Sequence, residues 1–67
     1  MKMIVVSVNK KEAELEEGLT VKELLSLRGF SNAAVWINGV QLLKSGYDSH
    51  IVSHGDDIKI LRITAGG

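Results

Sequence analysis

A chain of 67 residues with no cysteine cannot use disulfides, and its only two histidines, His50 and His54, lack the further ligands of a zinc site. A domain this small buries only roughly 60% of the surface its unfolded chain exposes, so one apolar core is expected, with no room in these residues for a second domain. Eight basic residues balance eight acidic ones, which leaves no net field to draw the chain to nucleic acid or an anionic membrane and makes a protein partner the easier expectation.

Residues 3–8, "MIVVSV", are β-rich, and "EAELE" follows after the polar "NKK". This pattern predicts a hairpin with a turn of about three residues, Ile4, Val6 and Val8 facing the core. The start of the chain lacks the apolar stretch of about 7–15 residues that a signal peptide carries, and no run approaches the roughly 20 apolar residues of a membrane span. A cytoplasmic protein is expected.

The period then changes. In "EEGLTVKELLSLRGF", Val21, Leu24, Leu25 and Phe30 recur at helical spacing, and Thr20 precedes Glu23 by three residues, the capping-box pattern. Gly29 after Arg28 suits the residue just beyond a helix end. One helix of about ten residues is predicted, and its single apolar stripe requires a sheet to lie on.

"AAVWING" returns to strand character, with Val35 and Ile37 inward and Trp36 on the other face. Asn38-Gly39 is the pair best suited to a type I′ turn, so "VQLL" pairs back. A polar, irregular stretch follows, with His54-Gly55-Asp56 as a turn and Asp56-Asp57 as turn residues rather than a working carboxylate pair. "DIKILRI" forms the last strand, with Ile58 and Ile60 alternating against Lys59 and Leu61. Two hairpins around one helix give an α+β fold: a mixed sheet of four or five strands with the helix packed across one face, the order of the ubiquitin-like β-grasp. Residues 1–63 are assigned to this domain and 64–67 to a flexible tail.

The ordered pieces carry a resemblance. "VSVNKKEAEL", "EEGLTVKELL", "AVWING", "IVSHGDDIKIL" and the closing "AGG" together resemble the ubiquitin-like sulfur carriers, and most closely their ThiS-like branch. The small subunits of molybdopterin synthase usually carry proline before the terminal glycines, and this chain has none. Trp36 departs from the pattern, since a small or aliphatic residue is expected there.

The resemblance implies that the reacting group is the α-carboxylate of Gly67. A ThiF-type adenylating enzyme would activate it with ATP, a cysteine desulfurase or other sulfur donor would convert it to a thiocarboxylate, and a ThiG-type thiazole synthase would receive the sulfur for thiamine. The chain itself would bind no cofactor, hold no metal and act as a monomeric co-substrate rather than an enzyme. Ala65 and Gly66 would serve tail recognition, glycine passing where a Cβ would meet the walls of a narrow pocket. For docking, Leu61, Ile63 and Trp36 form a candidate apolar surface on the sheet face away from the helix, flanked by Arg62 and Lys59. Trp36 is open to a second reading, in which the 43–51 loop covers it.

Other acceptors, in tRNA thiolation or molybdopterin synthesis, would use the same tail. From another class, a β-grasp binding module without sulfur chemistry would tolerate residues added after Gly67. An enzyme is the weakest reading, because no nucleophile, base and oxyanion donors stand at a recognisable spacing.

Overall fold

The computed structural model describes residues 2–63. It contains the strands β1 (Met3–Val8), β2 (Lys11–Glu16), β3 (Ala33–Ile37), β4 (Val40–Leu42) and β5 (Asp57–Arg62), the helix α1 (Val21–Leu27) and a single 3₁₀ turn, Lys44–Gly46. The sheet has the order β2-β1-β5-β3-β4. Only the β1–β5 pair is parallel. This is the ubiquitin-like β-grasp with five strands.

The first hairpin turns more tightly than its sequence suggests. Asn9 and Lys10 take φ of 51° and 68°, and Val8 pairs directly with Lys11, so the turn has two residues, not about three. Asparagine tolerates this left-handed region. The Asn38-Gly39 turn has the predicted form, with φ of 52° and 83°.

Helix α1 is seven residues long, shorter than the expected ten, because Gly29 at φ 76° ends it after the Arg28 cap. Its start is closed on every side. The Thr20 hydroxyl accepts from the Glu23 N–H at 3.2 Å, and the Glu23 carboxylate accepts from the Thr20 N–H at 3.0 Å. The first two helical N–H groups, of Val21 and Lys22, donate to the carbonyls of His50 and Tyr47. The stretch after the 3₁₀ turn is therefore a support for the helix, and it contributes Tyr47 and Val52 to the core. The buried Tyr47 hydroxyl donates to the Ala33 carbonyl at 2.9 Å, and burial raises its pKa above the usual tyrosine value.

The core lies between α1 and one face of the sheet. Ile4, Val6, Val8, Leu15, Val35, Ile37, Ile58 and Ile60 enter it from the strands, and Val21, Leu24 and Leu25 from the helix. Each such side chain contributes about 1.5–3 kcal/mol by leaving water.

Leu24→Ala should cost about 2–5 kcal/mol in denaturant unfolding, and Thr20→Ala about 1 kcal/mol. Backbone and side-chain hydrogen bonds from Thr20 hold the Glu23 carboxyl below its ordinary pKa. A depressed carboxyl contributes stability above its unfolded pKa and loses it as pH falls through the folded one. Glu23→Gln should therefore be less stable than the parent at neutral pH, and the difference should close below about pH 4 in parallel unfolding series.

Candidate functional site

Because one helix covers one face, the other face of the sheet is open. Side chains alternate along each strand, so the residues between the core positions project there. On β5 these are Lys59 and Leu61, and on β3 they are Ala34 and Trp36. The register sets Trp36 opposite Lys59 and Ala34 opposite Leu61. The Lys59 ammonium stands 5.5 Å from the centre of the Trp36 ring. At an exposed site such a contact is worth about 0.5–1 kcal/mol. Trp36 is half-buried by its strand neighbours, not by the 43–51 stretch, which packs on the helix side and sends Tyr47 into the core. That reading of Trp36 is set aside.

Leu61 is 55% exposed and Ile63 44%. Ile63 stays aligned with β3 past the strand end through its N–H to the Asn32 carbonyl at 3.1 Å. Leu61, Ile63, Trp36 and Lys59 thus belong to one side. Arg62 does not: it shares the phase of Ile58 and Ile60, and its guanidinium lies 5.0 Å from the Phe30 ring, beyond the end of the helix. The patch is flanked by Lys59 on its own face and by Arg62 on the other. Ala65, Gly66 and Gly67, and the 64–67 tail as a whole, lie outside the described residues.

Charge divides the open face. Glu12, Glu14 and Glu16 project there from the edge strand β2, opposite Ser7, Val5 and Met3 of β1. An acidic margin therefore lines one edge of the open face, and Lys59 stands on the central strand β5, with Asp57 two residues before it on the same side. Among the described residues the one ion pair, Lys22 with Asp48 at 3.5 Å, is elsewhere.

Two turn asparagines have a further role that sequence reasoning passed over: they hold β5 in place. Asn9 Oδ1 accepts from the Ile60 N–H at 2.8 Å. Asn38 Oδ1 accepts from the Asp57 N–H at 2.9 Å, while its Nδ2 donates to Asp56 at 3.1 Å. Asparagine in a left-handed turn beside a β-rich run was the available signal. Asp56 also accepts from the Ser53 N–H at 2.8 Å, the expected turn role. His54 is an exposed loop residue whose Nδ1 accepts from the Val5 N–H at 3.1 Å.

The open position of Trp36, the single tryptophan of the chain, has an optical consequence. Acrylamide should quench its fluorescence readily in the folded protein, and Lys59→Ala should shift its emission without changing the unfolding midpoint by more than about 1 kcal/mol equivalent.

The comparisons with known proteins agree with this architecture. The ThiS family model matches residues 3–67. A crystal structure of the thiamine biosynthesis protein ThiS from Geobacter metallireducens is similar at TM-score 0.81 and 30% identity, over 96% of this chain and 100% of that one. A solution structure of a thiamine biosynthesis protein from the same organism is similar at TM-score 0.78 and 30% identity, over 96% of this chain and 88% of that one. No curated protein matches. A family model that spans all but the first two residues, on a five-stranded β-grasp of the same shape, makes this chain a member of the ThiS family.

Proposed function

We propose that the protein is a sulfur carrier in thiamine biosynthesis and that the α-carboxylate of Gly67 is its reacting group. The observation that carries this reading is the family match, which continues through the final glycine pair. The similar structures are of thiamine biosynthesis proteins, which supports the pathway.

A carboxylate is a poor acyl donor. A ThiF-type adenylating enzyme would join it to the α-phosphate of ATP with loss of pyrophosphate. The persulfide of a cysteine desulfurase, or another sulfur donor, would then attack the carbonyl, and AMP would leave with one of the original carboxylate oxygens. With a persulfide donor, a thiol cleaves the S–S bond of the resulting acyl disulfide and leaves the thiocarboxylate. A ThiG-type thiazole synthase takes the sulfur from it. The chain supplies no catalytic side chain to these steps and binds no cofactor: ATP belongs to the activating partner.

What the chain supplies is a docking face and a tail. Ala65 and Gly66 fit an extended entry into a narrow pocket, since glycine presents no Cβ to the walls. The Leu61, Ile63 and Trp36 side of the sheet is the contact region nearest to that tail, and an apolar cluster of this kind is what a protein partner buries.

Incubation with a ThiF-type enzyme, ATP, a cysteine desulfurase and cysteine should raise the intact mass by about 16 units, one oxygen exchanged for one sulfur. Deletion of Gly67 should abolish the gain. Leu61→Glu should leave unfolding nearly unchanged and slow adenylation at least about tenfold, as loss of a central contact does. No mass gain, with a control carrier modified in parallel, would overturn the reading in favour of a binding module.

A further inference from the structure

Among the described residues, the C-terminal half of β5 has a strand neighbour on one side only. β1 meets β5 at Ser7↔Asp57 and Val8↔Ile58 and then turns away at Asn9, whereas β3 follows β5 as far as Arg62. Hydrogen bonds show which way the backbone points. The Asn9 N–H donates to the Ile58 carbonyl, and the Ile60 N–H donates to Asn9 Oδ1, both at 2.8 Å and both on the β1 side. The Ile63 N–H donates to Asn32 on the β3 side. Backbone direction alternates along a strand, so the Ile60 carbonyl and both backbone groups of Arg62 face the side where no described strand lies. A notch of about 470 Å³ opens there, lined by Asn9, Lys10 and residues 57–61.

The other sheet edges are blunted. β4 is three residues long, and β2 carries alternating charge along its length. Around the β5 edge the charge is mainly positive, from Lys10, Lys59 and Arg62, with Asp57 the one acidic residue of the notch.

We propose that this edge receives an extended, acidic segment of the protein that handles the tail, which joins the sheet as a strand beside β5. The proposal rests on the sulfur-carrier reading. Four residues follow Ile63, and they reach at most about 14 Å. A protein that takes the Gly67 carboxylate into a pocket therefore stands against this end of β5. Unpaired backbone groups at strand spacing accept a strand, and main-chain hydrogen bonds then supply affinity. Positive charge on both faces of the edge selects an acidic occupant. It also disfavours a second copy at the same edge, since pairing β5 with β5 would set Lys59 and Arg62 of each chain against those of the other.

The test is amide hydrogen exchange on the ¹⁵N-labelled full chain, alone and with a ThiF-type adenylating enzyme and ATP. Alone, the Arg62 amide should exchange fast while Ile60 and Ile63 are protected; in the complex, Arg62 exchange should slow at least about tenfold. Arg62→Pro removes the N–H without touching the ladder to β3, and Arg62→Gln removes only the charge. The glutamine variant should weaken the complex about two- to fivefold and the proline variant about fivefold further. An adenylate formed while Arg62 stays unprotected would overturn strand addition and leave the carrier reading standing. No complex and no adenylate, with a control carrier active, would overturn both. Protection of Arg62 that rises with concentration in the absence of enzyme would mean a second copy at the edge and would overturn the acidic partner.

Discussion

Everything in this fold depends on the last strand being placed in the middle of the sheet. Among the described residues β5 is the one strand that joins the two hairpins: β1 and β2 lie on one side of it, β3 and β4 on the other. Its link to the first hairpin is narrow, two register pairs extended by the Asn9 side chain to Ile60. Its link to β3 runs over five pairs. The first link spans about fifty residues of chain, so its loop-closure entropy is met only when both hairpins and the helix supply their apolar faces at once. Ile58 and Ile60 are the side chains through which that happens, since both enter the common core.

A central final strand also decides where the chain leaves the domain. Ile63, the last described residue, lies just past the end of this central strand, next to the open face and the unpaired half of β5. Apolar face and strand edge thereby meet at the last described residue, the one that precedes the proposed tail in sequence. A partner that engaged the face would also be held against the edge, which would raise the effective concentration of the proposed tail at its pocket. In a protein whose chemistry is proposed to lie at its last residue, docking and reaction would be coupled through the backbone of one strand.

The closed start of α1 explains why only one face remains open. The helix has seven residues, too few to be stable by propensity. It is held by its capping box and by carbonyls of Tyr47 and His50, and these bring residues 47–52 over the helix side. Tyr47 and Val52 fill the end of the core that a short helix cannot cover. Among the described residues nothing comparable crosses the other face, where Trp36 shares its environment with Lys59.

Much of this was legible in the residues themselves. The alternation of Ile4, Val6 and Val8, the Thr20–Glu23 pair, Gly29 and Asn38-Gly39 are local signals, and each acts over a few residues of chain, which is why the strands, the helix start and the second turn come out as expected. The face carrying Leu61 and Trp36 follows from the same alternation. Asn9-Lys10 was not legible as a two-residue turn, because left-handed φ at lysine is uncommon and is imposed here by the pairing of Val8 with Lys11. The side of the sheet taken by Arg62 follows from strand alternation too, whereas the burial of Tyr47 and Val52 and the free edge of β5 were decided by tertiary structure alone. The first depends on the bonds by which residues 47–52 close the start of α1, and the second on where β1 ends relative to β5, a register between segments some fifty residues apart that no local pattern encodes.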